Sequence, residues 1–163
     1  MEINGVAHIH ITVNNLDVAV PFYEKVLGFF GLMPVVKAPC GLYCIGGKTA
    51  VAVTLSSREN RSARFDQRRV GLHHVCFRAR ERADVDAAHE FLKSIGAKIV
   101  HPPEEGPWFP GYYSLLFEDP DGIRLELNHV PLKGFLGKSD QENPFAGNLP
   151  LDHFPGYEDY PKT

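Results

Sequence analysis

An α+β domain built from two βαβββ modules is the fold this 163-residue chain predicts. The prediction rests on a strand signature that occurs twice, a helical pattern behind each copy, and short apolar runs behind each helix. Gly5-Val6-Ala7-His8-Ile9-His10-Ile11-Thr12-Val13 returns as Gly71-Leu72-His73-His74-Val75-Cys76-Phe77-Arg78-Ala79, an offset of 74 − 8 = 66 residues.

In the first module the strand alternates, with Ala7, Ile9, Ile11 and Val13 on one face and Val6, His8, His10 and Thr12 on the other. Phe22, Tyr23, Val26 and Leu27 then recur at helical spacing and end at Gly28, with Asn15 or Asp17 as N-cap and Pro21 tolerated near the first turn. Apolar runs at Leu32 to Val36, Leu42 to Ile45 and Ala50 to Leu55, divided by Pro39 and Gly46-Gly47, predict a meander. The second module opens with Val75, Phe77 and Ala79 facing inward and His74, Cys76 and Arg78 opposite. Asp84 is the N-cap candidate for a helix through Val85, Ala88, Phe91, Leu92 and Ile95, ending at Gly96. Strands follow at Lys98 to Val100, Tyr112 to Phe117 and Ile123 to Leu127, the last two joined by an Asp119-Pro120-Asp121-Gly122 turn.

Each module covers one sheet face with its helix and needs the other module to close around the opposite face, giving a cupped mixed sheet. Residues 1–130 form one domain, with modules of about 3–60 and 70–130. The segment Pro102 to Pro110 reads as a loop at the rim. Residues 131–163 hold five prolines and four glycines without periodicity. They read as an extension whose aromatics, Phe135, Phe145, Phe154, Tyr157 and Tyr160, lie across the domain or a partner subunit.

Composition narrows the function. With 44% apolar and 23% charged residues and a net charge of −3, the chain is globular and carries no basic footprint for nucleic acid. Five arginines between Arg58 and Arg69 share their stretch with Glu59 and Asp66, and read as a solvated loop. No apolar run reaches the roughly 18 residues of a membrane span. Three cysteines, an odd number, and no leader pattern make the cytoplasm the expected compartment.

Alternation brings His8, His74 and Glu126, with His10, to the faces turned away from the helices. Two imidazoles and a carboxylate are a ligand set for Fe, Mn, Ni or Zn as a divalent metal, and three donors leave positions for substrate. The same residues also suit an antiparallel sheet whose second face is merely wet.

His8-Ile9-His10-Ile11, Phe22-Tyr23 with Leu27-Gly28-Phe29, His74-Val75-Cys76-Phe77, and Phe117-Glu118-Asp119-Pro120-Asp121-Gly122-Ile123-Arg124-Leu125-Glu126-Leu127 together resemble the vicinal oxygen chelate superfamily. That superfamily includes glyoxalase I, extradiol dioxygenases, fosfomycin-resistance thiol transferases, methylmalonyl-CoA epimerase and metal-free bleomycin-binding proteins. The resemblance spans about residues 3–130. It implies a metal held by His8, His74 and Glu126, and a homodimer. Its glyoxalase and epimerase branches use a fourth ligand from the last strand of the first module, where this chain has Ala50-Val51-Ala52-Val53-Thr54-Leu55 and only Glu59 beyond.

The resulting expectation is a metal-dependent enzyme that chelates a small substrate through neighbouring oxygens, leaning to an extradiol-type dioxygenase. A glyoxalase I-like lyase, a thiol transferase, and a metal-free protein sequestering an aromatic drug-like molecule are the alternatives. His10 and Glu126 are the catalytic candidates; Trp108, Tyr112, Tyr113 and Arg78 are the substrate-binding ones. Cys76 reads as a small hydrophobe and His73 as structural.

Overall fold

The computed structural model describes residues 5–131, which form two compact units. The first contains residues 5–66 together with the turn Glu118–Ile123, and the second contains Gln67–Phe117 and residues 124–131.

In the first unit, strand β1 (His8–Val13) leads into helix α1 (Leu16–Phe29), followed by β2 (Met33–Ala38), β3 (Gly41–Ile45) and β4 (Ala50–Leu55). The sheet order is β1-β4-β3-β2, with β1 and β4 parallel and the other two pairs antiparallel. Alternation in β1 is as expected: Ile11 and Val13 are buried while His8, His10 and Thr12 are exposed. The buried face of the sheet, which includes Leu42, Cys44, Val51 and Val53, packs with Ala19, Tyr23, Val26 and Leu27 of α1. Each such aliphatic side chain removed from water contributes about 1.5–3 kcal/mol.

The second unit repeats the plan with β5 (Val75–Arg78), α2 (Arg82–Ser94), β6 (Lys98–Glu105), β7 (Tyr113–Glu118) and β8 (Arg124–His129) in sheet order β5-β8-β7-β6. Here β5 and β8 are the parallel pair. Val85, Ala88 and Leu92 of α2, with Leu115, Phe117 and Leu125, are fully buried. The expected α+β class with two βαβββ modules is therefore what the chain adopts. Residues 132–163, on which the reading of the C-terminal extension falls, lie outside the described residues, as do residues 1–4.

Several local expectations are corrected. Asn15 caps α1, its side chain accepting from Asp17 N at 2.9 Å, so Asp17 is a first-turn residue. Glu81, not Asp84, is the N-cap of α2; Asp84 stands three residues on and accepts the Glu81 N–H at 2.9 Å, which satisfies a donor the helix leaves free. Pro21 lies in the second turn of α1, where it removes the bond Asp17 O would otherwise accept. The helix also runs past Gly28 to Phe29, and the left-handed glycine is Gly31. Leu32 N bonds Leu27 O at 2.8 Å and Gly31 N bonds Gly28 O at 3.0 Å; Ala97, Leu92, Gly96 and Lys93 repeat that closure in α2 at 2.9 and 3.0 Å. The helix ends therefore correspond as Gly31 and Gly96, an offset of 96 − 31 = 65.

The expected rim loop also differs, because Pro102 to Glu105 continue β6. Edge position accommodates one of the two adjacent prolines outright, since β6 is the last strand of its sheet order and a missing N–H on its open side costs no ladder bond. Cys40, Cys44 and Cys76 are free, and Cys44 is in the core, where burial pushes its thiol up.

At the tight corner between β2 and β3, a Cβ on Gly41 would lie 2.2 Å from Val53 O. Gly41→Ala should therefore lower unfolding stability by about 1–3 kcal/mol, read as a reduced urea midpoint with unchanged slope.

Candidate functional site

The second unit assembles a polar cluster around Glu126. Register pairs Cys76 with Glu126 and Arg78 with Asn128, so all four share the face away from α2. Glu126 is buried, and its Oε1 accepts the Tyr112 hydroxyl at 2.5 Å while Oε2 meets His74 Nε2 at 3.0 Å. Burial alone would raise this carboxyl, but hydrogen bonds from His74, Tyr112 and Ser114 outweigh it and hold it below the ordinary glutamate value. The carboxylate is thus kept anionic inside the protein. Burial first, then the bond to Glu126, push the Tyr112 phenol upward, so it remains a donor. Desolvation at its sulfur and then the Glu126 charge push the Cys76 thiol up, although the residue as a whole is exposed.

A ring cluster supports Tyr112. It packs with Phe109 and Val130, and half-buried Trp108 lies against them. Gly106 makes room for this, since a Cβ there would approach both Trp108 and Tyr112 to 3.0 Å. Arg78 Nη2 donates to Val130 O at 3.0 Å.

Tyr113 departs from its expected place. Its hydroxyl donates to Asp86 at 2.6 Å and its ring lies 3.6 Å from the Arg82 guanidinium carbon, so it belongs to the α2 side of the sheet, away from Glu126. Adjacent residues entering a strand point to opposite faces, and α2 offers a charged pair that captures this one.

His73, read as structural, instead touches His74: the two Nδ1 atoms are 2.7 Å apart and the rings meet edge-on at 77°. Both residues precede β5, so strand alternation does not separate them. Desolvation, then the neighbouring His74, Arg124 and Arg68, lower the His73 imidazole below its ordinary value. Ser114 escaped the sequence reading and Asn128 was not among the candidate site residues; the first is on β7 and the second on β8 with Glu126, and only their partners reveal them.

In the first unit His8 opens β1, and in the second His74 immediately precedes β5, so neither stands in the middle of its strand. His10 Nε2 bonds Thr54 Oγ1 at 3.0 Å across the parallel pair. The face of β4 shared with His8 and His10 carries Ala50, Ala52 and Thr54. Glu59 is exposed in a short 3-10 turn, Arg58–Asn60, and does not extend that strand. By register Ala52 faces His10 as Glu126 faces Cys76, so the first-module counterpart of Glu126 is an alanine.

The donor chemistry of the second unit fits a divalent cation as two of its ligands: an imidazole nitrogen and an ionised carboxylate oxygen converge at 3.0 Å. Among the described residues, no group of three or more His, Cys, Asp and Glu stands arranged to hold an ion. No described helix is long and apolar enough to cross a membrane.

Tyr112→Phe should leave one oxygen of the buried Glu126 with a weaker partner set. The expected cost is about 1–3 kcal/mol in urea unfolding. An upward move of the Glu126 titration, followed by carboxyl 13C shifts, should accompany it.

A fold of two repeated modules with an imidazole–carboxylate pair, His74 and Glu126, in the second defines a class, and sequence comparison identifies it. The profile of the Glyoxalase/Bleomycin resistance protein/Dioxygenase superfamily matches residues 5–127, and the chain belongs to that superfamily. The chain is 31% identical over 142 residues to the metallothiol transferase FosB of Shouchella clausii, covering 87% of this chain and 91% of that protein. A candidate glyoxalase from Bacillus halodurans has a similar structure at 27% identity and TM-score 0.69, over 78% of this chain and 96% of that one. The lactoylglutathione lyase of Agrobacterium tumefaciens, at 24% identity and TM-score 0.61 over 83% and 100%, shares the fold.

Proposed function

We propose that the protein is a divalent-metal-dependent enzyme that transfers a small thiol to an electrophile held through neighbouring oxygens. The observation that carries this reading is Ala52 at the register position corresponding to Glu126. Without a fourth donor there, the three-ligand set that the family resemblance implies, His8, His74 and Glu126, would leave positions open for substrate, which suits thiol transfer or dioxygenation better than a four-ligand isomerisation. The similarity to a metallothiol transferase favours thiol transfer over the dioxygenase reading, which uses the same three donors.

A bound cation, of Fe, Mn, Ni or Zn, would supply Lewis acidity to the substrate oxygens. Glu126 contributes the negative charge that retains it, with Tyr112 fixing one oxygen so that the other stays directed at His74. Arg78 offers a cation on the same sheet face as Glu126 for an anionic substrate group. His10, whose Nε2 is committed to Thr54, accepts the thiol proton at Nδ1. Trp108 supplies an apolar wall beside Tyr112.

The test is thiol consumption by the Mn(II)-loaded protein with fosfomycin and a panel of low-molecular-weight thiols, beside oxygen uptake with catechols and loss of the methylglyoxal–glutathione hemithioacetal. Metal- and electrophile-dependent thiol loss is the expected result. Oxygen uptake with ring cleavage replaces the reading with a dioxygenase, and hemithioacetal loss replaces it with a lyase. Absence of stoichiometric metal, with aromatic ligands quenching Trp108 without turnover, replaces it with a binding protein.

A further inference from the structure

We propose that His73 is a positioning residue that sets the tautomer of His74, and that metal uptake reverses the hydrogen bond between them. The inference rests on the reading of His74 and Glu126 as metal ligands. It starts from two contacts on opposite sides of one ring: His74 Nε2 lies 3.0 Å from Glu126 Oε2, and His74 Nδ1 lies 2.7 Å from His73 Nδ1.

An ionised carboxylate only accepts, so His74 in its one-proton form, the form that binds a metal, carries that proton on Nε2 and donates it to Glu126. Its Nδ1 is then a lone pair, and the 2.7 Å contact requires His73 to donate from its own Nδ1. A metal at His74 Nε2 needs the lone pair there instead. The His74 proton must then reside on Nδ1, and the contact survives only if His73 Nδ1 becomes the acceptor, with the His73 proton on Nε2. The count balances: His74 loses a proton at Nε2 and gains the bridging one at Nδ1, while His73 gives up the bridging proton and gains one at Nε2. The pair therefore releases no net proton.

Imidazole serves both arrangements because its Nδ1 either donates or accepts. Glutamine retains this capacity by amide rotation, and phenylalanine retains only the ring. A metal-bound histidine whose second nitrogen has an acceptor is oriented and made more basic, and loss of such a partner typically costs about 10–100-fold in metal affinity.

The experiment uses full-length wild type, His73→Phe and His73→Gln, with Zn(II) as the probe. Zn(II) dissociation constants come from competition with a chromophoric chelator, and ring protonation comes from long-range 1H–15N spectra before and after Zn(II). In wild type, His74 should change from the Nε2–H to the Nδ1–H form and His73 from Nδ1–H to Nε2–H. His73→Phe should bind Zn(II) about 10–100-fold more weakly with an unchanged far-ultraviolet spectrum, and His73→Gln should recover most of the loss. Unchanged affinity in His73→Phe, or a His73 that keeps its Nδ1 proton in the Zn(II) form, overturns the proposal while leaving the metal reading intact. Failure of wild type to bind Zn(II) overturns both.

Discussion

On the proposed metal reading, Glu126→Gln is expected to abolish stoichiometric metal uptake while leaving the fold standing. The amide is nearly isosteric, still accepts the Tyr112 hydroxyl that bonds Oε1 at 2.5 Å, and fits the same buried slot. It lacks the charge that binds a cation, so affinity should fall by more than the about 100-fold upper range typical of residues behind the ligands. The proposed metal-dependent thiol transfer should fall with it. Elemental analysis after dialysis decides the matter, and uptake equal to wild type would remove Glu126 from the ligand set. Acid titration gives a second readout. Because Glu126 is held below its ordinary value, the folded state binds that proton less tightly than the unfolded state, and the stabilisation is present above the unfolded glutamate range. It is lost as pH falls through the lowered folded value, and the glutamine variant should lack that part of the acid-side loss.

Asp119→Ala should give the largest loss of stability. Asp119 Oδ2 accepts the Tyr23 hydroxyl at 2.8 Å, and Oδ1 accepts Asp121 N at 2.9 Å and Ile123 N at 2.7 Å. Both Asp119 and Tyr23 are buried, so truncation leaves donors that water reaches poorly. The expected cost is about 3–5 kcal/mol near pH 5. Its pH dependence has a definite sign. Burial pushes the Asp119 carboxyl up to about 6 from 3.8, against the hydrogen bonds that lower it. The folded state therefore binds the proton more tightly, and this stabilisation, complete below the unfolded value, is lost as pH rises through the folded one. The penalty for Asp119→Ala should shrink by about 1–2 kcal/mol between pH 5 and pH 7.5. Urea unfolding at the two pH values measures it, and a penalty that grows with pH would contradict the buried-acid account.

The legible part of the fold was the part governed by local periodicity. Period-two alternation in β1 put His8 and His10 on the exposed face, and helical spacing found Tyr23, Val26 and Leu27 facing the core. The Asp119-Pro120-Asp121-Gly122 turn was readable from its residue types, and Gly122 takes the left-handed conformation at φ 86° that favours glycine. Helix ends were less legible. Asn15 and Glu81 compete with nearby acids that cap almost as well, and Gly28 and Gly31 are equally good stop signals until the closing bonds choose one. Pro102 and Pro103 read as loop because strand tolerance for proline depends on being at an edge, which no local pattern encodes.

The candidate site divides along the same line. From sequence alone come the two modules, the pairing of His8 with His74 in the repeat, Glu126 on the final strand, and the missing donor between Ala50 and Leu55. The modules, the histidine pairing and the place of Glu126 follow from residue type and spacing along the chain, and the missing donor from the family resemblance. Tertiary structure decided which groups meet across segments. Tyr112 rather than Tyr113 reaches Glu126 because Arg82 and Asp86 of α2 hold the latter. His73 and His74 touch because they precede the strand whose pleat would have separated them. Hydrogen bonds between side chains depend on a few tenths of an ångström between elements distant in sequence, and that separation is fixed by packing, which sequence periodicity does not record.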